Sequence, residues 1–218
     1  MNKIKNAGGL FITDSEMGNI QSSFNYFLKF NISKNAKILD VGCNSGSLIY
    51  NLYNLGYKNV FGIEINANAV NKGKMVYPSI ANNLSIHKAG EIPFENNFFD
   101  VIVMFDVIEH VPEVCKFLKN EVNRVLKKNG MLIFQTPNKP MNILWVYLDN
   151  HSFNVKWWKE HCSLQTFWSL KKLLVSSGFC NPIIEKYNIW TEHNKKKVQI
   201  KLGIFGLLLL KLVSVFPI

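Results

Sequence analysis

Three side chains able to do proton or metal chemistry stand within five residues: Asp106, Glu109 and His110, in the run F-D-V-I-E-H-V. The spacing D-x-x-E-H gathers two carboxylates and an imidazole within one turn of chain. An imidazole with an unperturbed pKa of about 6.5 suits a general base near neutral pH, and clustered carboxylates suit a divalent ion. The alternative is that Glu109 and His110 only cap and orient their loop. A second pair of acids, Asp40 and Glu64, lies at the far ends of two apolar runs. Asp40 precedes the glycine-punctuated stretch G-C-N-S-G (Gly42–Gly46), where an acid would repel a pyrophosphate but suits a cationic ligand. Glu64, eighteen residues beyond Gly46, can accept two hydrogen bonds from the hydroxyls of a ribose.

These residues need strands and turns to hold them. Ile38, Leu39 and Val41 form a β-type run, Gly42 and Gly46 bracket a tight turn, and Ser47 to Leu55 reads as a helix. The turn lets backbone approach a ligand closely, and the helix start offers unpaired N–H groups to something polar or anionic. Gly42-x-x-x-Gly46 is not the G-x-G-x-x-G of a dinucleotide fold. Further strands are expected at Asn59–Ile65, Leu84–His87, Asn97–Met104, Met131–Gln135 and Asn181–Trp190. Helices are expected around Ala67–Val76, over Glu113–Leu126 with Gly130 closing it, and over Leu164–Ser177 closed by Gly178. Thr13 to Glu16 has the form of a capping box. Ile20, Phe24, Phe27 and Leu28 then share one face of a helix ending near Phe30, expected to cover the sheet or the cofactor mouth, with core packing favoured.

L-D-V-G-C-N-S-G resembles the first motif of the class I S-adenosylmethionine-dependent methyltransferases, commonly L-D-V-G-C-G-x-G. Asn44 stands where that family usually has its middle glycine, and Asn tolerates the left-handed angles such a turn needs. Ala89-Gly90-Glu91-Ile92-Pro93-Phe94 resembles the family's adenine-lining G-D-A-E-x-L-P-F, with Lys88 where an Asp commonly receives the adenine amino group. F-D-V-I-E-H-V is similar to the D-V-L-E-H-I/V run of small-molecule methyltransferases, and Arg124 to Asn138 to R-V-L-K-P-G-G-x-L-x-x-x-T-P-N. The similarity runs from about Ala36 to Asn138 with every motif in order.

The resemblance implies a doubly wound α/β fold, Rossmann-like and mostly parallel, with S-adenosylmethionine as methyl donor. It assigns Asp40, Gly42 and Gly46 to the methionine part and Glu64 to the ribose. Glu91 to Phe94 border the adenine, and Asn44, Ile65, Ala89 and Phe105 complete the cofactor-binding set. Asp106, Glu109 and His110 would act on the acceptor. The D-x-x-E-H run is also similar to the E-x-x-E-H of the ubiquinone-biosynthesis O-methyltransferases, where a magnesium ion is implicated. That resemblance admits Mg²⁺, for which His110 would be an unusual ligand.

The 218 residues, 48% hydrophobic, suffice for one domain with a large core. Residues 1–35 are expected as a helical cover, 36–190 as the cofactor-binding domain with an insert at about 139–163, and 191–218 as a basic, apolar extension. The insert carries Trp145, Tyr147, Phe153, Trp157 and Trp158 with His151 and His161, a cap suited to an aromatic, sugar or lipid-like acceptor or else an enlarged core. Cys43, Cys115, Cys162 and Cys180 form no C-x-x-C pair and Met1–Leu10 lacks an apolar core, so a reduced, cytoplasmic setting is expected. The formal charge of +10 is almost wholly lysine, with Arg124 the single arginine, which disfavours a nucleic-acid substrate. Leu202–Leu210 is apolar between lysines, and Lys211 interrupts it before it could span a bilayer, so a surface-bound or buried helix is expected, with peripheral membrane contact in view. Leu212–Phe216 is the candidate for a last, antiparallel strand.

The expected activity is methyl transfer to a small-molecule, sugar or lipid-like acceptor, at oxygen in preference to nitrogen. A methyltransferase-fold partner protein without catalysis remains open, and a nucleic-acid methyltransferase or a nicotinamide oxidoreductase is less favoured.

Overall fold

The computed structural model describes residues 4–5, 11–12, 19–140, 143, 160–185 and 192–215. The chain divides into two compact units, Met1–Ile108 with Lys116–Gln135, and Glu109–Cys115 with Thr136–Ile218. The expected capping box at Thr13–Glu16 and the aromatic residues of the insert, His161 apart, lie outside the described residues.

In the first unit a short antiparallel pair, β1 (Ile4–Lys5) and β2 (Phe11–Ile12), precedes the helix α1 (Asn19–Phe27). Phe24 and Phe27 of α1 join the core cluster with Ile38, Leu48 and Val60, so α1 is a core element. Leu28, expected on the same face, is past the helix end and 44% exposed. Five strands then follow: β3 (Ile38–Val41), β4 (Val60–Glu64), β5 (Leu84–Ile86), β6 (Phe99–Phe105) and β7 (Leu126–Gln135). Helices α2 (Ser47–Asn54) and α3 (Ala67–Val76) connect the first three.

All five strands are parallel, in the order β5-β4-β3-β6-β7. Their near-continuous apolar runs are what a sheet covered on both faces requires. The chain moves outward from β3 to β5, returns to the other side of β3 as β6, and moves outward again. Right-handed crossovers in opposite directions put their helices on opposite faces, and the reversal between β3 and β6 opens a crevice at the carboxyl ends of those strands. Ligands of doubly wound sheets bind at such a reversal.

The connection to β7 departs from expectation. Instead of one helix over Glu113–Leu126, α4 (Val114–Phe117) passes into a π-turn at Leu118–Val122 and then α5 (Asn123–Val125). Gly130 does not close that helix. The chain pairs again at once, Leu126 with Phe99, and residues 127–130 bulge before Met131 pairs with Val101. Asn129, with φ of 65°, takes the left-handed position. The bulge is tied down by Lys127, whose Nζ lies 2.7 Å from Asp100 Oδ1.

In the second unit, Thr166 caps α6 (Phe167–Ser176) through a reciprocal box with Ser169, and the helix ends at Ser177 before Gly178 at φ 93°. The expected strand Asn181–Trp190 is not formed over residues 181–185, and 186–190 lie outside the described residues. The expected last strand at Leu212–Phe216 is helical as far as Val215, within α7 (Glu192–Val215). No turn residue separates Leu207–Leu210 from Lys211–Leu212, and a leucine-rich run without a breaker continues as helix.

Candidate functional site

The turn after β3 takes three left-handed residues in alternation: Gly42 at φ 77°, Asn44 at φ 50° and Gly46 at φ 80°. Asn44 thus adopts the angle a glycine would. Side chains are excluded at its flanks, because a Cβ on Gly42 would lie 2.5 Å from Val107 Cγ2 and one on Gly46 would lie 2.7 Å from Leu84 Cδ2. The turn is pinned to the next strand by Gly42 and Cys43, whose N–H groups both donate to the Ile63 carbonyl at 2.8 and 3.1 Å. Gly46 stands at the N-cap of α2 and supplies no side-chain cap, and the positive end of the helix dipole faces the turn.

The two acids are placed by the pairing of β3 with β4, in which Val41 stands opposite Ile63. Asp40 is buried, at 4% exposure. Burial, and then the neighbouring charge of Glu64, push its carboxyl well above the ordinary carboxylate range. Its carboxylate makes no hydrogen bond among the described residues. Glu64 links two βα turns: Oε2 accepts the Asn44 N–H at 3.1 Å and Oε1 the Asn66 N–H at 2.9 Å. Each oxygen keeps a lone pair for a ligand. Asn66 then caps α3 through Asn68 and Ala69, and Ile65 projects an apolar side chain that is 59% exposed.

The segment from Ala89 to Phe94 is held from behind. Ala89 and Glu91 are exposed while Ile92 is buried, and His87 Nδ1 bonds the Glu91 carbonyl at 2.7 Å. Phe94 packs with Phe61, Phe98 and Phe99 at centroid separations of 4.8 to 5.8 Å. Arg124 spreads its fork across the loop, donating from Nη2 to the Ile92 carbonyl at 2.8 Å and from Nη1 to the Phe94 carbonyl at 2.7 Å. Glu121 completes the clamp, its Oε2 accepting from Arg124 at 2.9 Å and from the Ile92 N–H at 2.8 Å. Burial alone would raise the Glu121 carboxyl, but these bonds and the Arg124 charge bring it below its ordinary value. In the sequence Arg124 stands out only as part of a motif and as the one arginine of a lysine-rich chain, and that singularity is the signal that a fork is needed here.

The D-x-x-E-H run spreads over the two units. Phe105, half-buried, ends β6 in the first unit. Asp106 follows at φ 55°, with Oδ1 accepting from Gln135 Nε2 at 3.3 Å. Glu109 and His110 belong to the second unit. Glu109 is buried at 1% exposure and accepts from the Thr136 hydroxyl at 3.0 Å. His110 is exposed; its Nδ1 lies 2.6 Å from the Glu160 carbonyl and its ring 4.7 Å from that of His161. A carbonyl only accepts, so Nδ1 carries the proton and Nε2 of the neutral ring is an acceptor. Among the described residues no three His, Cys, Asp or Glu side chains come together as a metal site, so the magnesium expectation has no support. Asp106 and Glu109 each spend a carboxylate oxygen on their own neighbours.

The model of a methyltransferase-domain family matches residues 17–181. The chain belongs to that family. It is 31% identical over 127 residues to a ubiquinone biosynthesis O-methyltransferase of Pelagibacter ubique, covering 57% of this chain and 51% of that one. Against a demethylmenaquinone methyltransferase of Staphylococcus aureus it is 34% identical over 112 residues, covering 50% and 46%. The chain thus spans about half the length of the curated relatives it matches. A methyltransferase from Mesorhizobium loti that depends on S-adenosylmethionine superposes with a TM-score of 0.62 over 88% of this chain and 94% of its own, at 12% identity. The sheet order and that likeness make this the class I, Rossmann-like methyltransferase fold.

Proposed function

We propose that the protein transfers a methyl group from S-adenosylmethionine to a small-molecule acceptor, at an oxygen. The observation that carries this reading is the buried, unbonded Asp40 beside Glu64 at the end of β3, next to a three-residue left-handed turn. A carboxylate in that position stabilises a cation, as in the ammonium and sulfonium of the cofactor, and disfavours a pyrophosphate. In this reading Glu64 uses its remaining lone pairs on the two ribose hydroxyls. The exposed Ile65 supplies apolar contact, and the clamped 91–94 segment borders the adenine. When bound, S-adenosylmethionine supplies an electrophilic methyl on a sulfonium that needs no further activation.

The chain's own tasks are then to orient the acceptor and to hold its proton. His110 takes the proton at Nε2, and the Glu160 carbonyl stabilises the resulting imidazolium through Nδ1–H. Glu109 braces the turn that carries His110. One curated relative is named for O-methylation in ubiquinone biosynthesis and the other for demethylmenaquinone; both names support a quinone- or quinol-type acceptor here, and the first supports its hydroxyl as the group methylated. Calorimetric titration with S-adenosylhomocysteine and with NAD tests the cofactor assignment: binding of the first alone is expected, and binding of NAD alone would overturn it. Transfer of a labelled methyl to a soluble quinol, lost in His110→Ala, tests the acceptor class.

A further inference from the structure

We propose that α7 docks the protein on an anionic lipid surface. The helix is not straight. Gly203 breaks it, at φ 60° and ψ −152°. Residues eight apart in a straight helix are about 12 Å apart along the axis, yet a Cβ on Gly206 would lie 2.8 Å from Val198 Cγ1 and closer still to Leu202 Cβ. The stretches on either side of Gly203 therefore fold against each other at Gly206, with Val198 buried between them.

That arrangement turns large apolar side chains outward. Ile204, Phe205 and Leu208 are 73%, 86% and 59% exposed, and Ile200 is 81% exposed. Ile204, Leu208 and Lys211 are spaced i, i+4, i+7, which puts them on one helical face. Water is a poor solvent for such a face.

Charge selects what covers it. From His193 to Ile218 there is no acidic residue, while Lys195, Lys196, Lys197, Lys201 and Lys211 are all basic. Two copies meeting through this segment would oppose like charges, whereas anionic headgroups neutralise them as the apolar side chains enter the acyl boundary. Twelve helical residues after the break span about 18 Å, short of the roughly 30 Å of a bilayer core. No helix among the described residues is long and apolar enough to cross a membrane, so α7 lies in the interface. In the same unit, α6 presents exposed Trp168, Lys171, Lys172 and Val175 on one face, the combination of ring and lysine that favours a headgroup layer. None of this depends on the cofactor reading.

The test is flotation of the full chain with phosphatidylcholine vesicles, with and without phosphatidylglycerol, at low and high salt. Preferential binding to the anionic vesicles, weakened by salt, is expected. The substitutions Ile204→Ser, Phe205→Ser and Leu208→Ser together should reduce it at least about tenfold. Lys196→Glu with Lys197→Glu should do the same, each lysine contributing roughly fivefold. Unchanged melting temperatures establish that the variants are folded; if one set unfolds, the other and the salt dependence decide. Equal binding to both vesicles, no binding, or binding untouched by both sets would overturn the proposal. So would a concentration-dependent dimer of the parent chain that the apolar substitutions abolish.

Discussion

The turn after β3 and the run after β6 each follow a central strand, and each carries a conspicuous acid at the strand's end. They behave differently. Glu64 and the Asn44 amide, twenty positions apart, meet at 3.1 Å, whereas Asp106, Glu109 and His110, nearly adjacent, turn to Gln135, Thr136 and Glu160 respectively. The difference lies in what positions them. Parallel pairing of β3 and β4 in fixed register brings two distant strand ends side by side, so spacing along the chain becomes contact in space. Ile108–His110 is a 3₁₀ turn, in which successive side chains point about 120° apart, so neighbours in sequence are not neighbours at a site.

The largest test of this contrast is His110→Ala. If His110 acts alone as the base, turnover should fall roughly 10²–10⁴-fold with cofactor affinity unchanged, and chelators should have no effect on the parent enzyme. An Asp106→Asn variant should lose far less, since that carboxylate already bonds Gln135. Comparable losses in both would mean that the run works as a unit after all.

The next largest is Asp40→Asn. Hydrogen bonds and contacts to a charged group are worth about 1.5–3 kcal/mol, so affinity for a cationic cofactor should fall roughly tenfold to a hundredfold at pH 8. Stability should change in the opposite direction. Because burial and Glu64 raise the folded-state pKa of Asp40, its favourable contribution is complete below the ordinary carboxylate value near 4 and is lost as pH rises through the raised one. The variant should therefore melt above the parent at pH 8 and approach it in acid. A pH-independent difference in melting temperature would contradict the burial account.

Arg124→Lys sharpens the comparison on the cofactor side. A lysine cannot reproduce the four bonds that one planar fork makes to Ile92, Phe94, Asn96 and Glu121, and the loss should be about 1–3 kcal/mol of stability. Amide exchange should quicken at Ile92 to Phe94, while exchange at Gly42 and Cys43 stays unchanged.

The sheet was legible because its strands carry short apolar runs, those of β3, β4 and β6 closed by Gly42, Glu64 and Asp106, and periodicity reports such runs directly. Asn44 was legible as well, since its tolerance of left-handed angles is a local property and its φ of 50° bears it out. What failed depended on tertiary competition. Gly130 read as a helix stop, but Lys127 finds Asp100 and draws the chain into a bulge instead. Leu212–Phe216 reads as a strand, yet with nothing to break the leucine run it stays helical as far as Val215. The D-x-x-E-H run suggested a shared metal, and no sequence pattern reveals that Gln135 and Thr136 engage its carboxylates first.

The central claim is that Glu64, aimed by Asn44 and Asn66, receives a ribose. A ligand cycle tests it most directly: calorimetric dissociation constants of 5′-methylthioadenosine and its 2′-deoxy analogue, for the parent and for Glu64→Ala. Removing the hydroxyl should weaken binding by about tenfold in the parent and scarcely at all in Glu64→Ala, a coupling of roughly 1.4 kcal/mol. Equal losses in both proteins would place the ribose elsewhere and contradict the account.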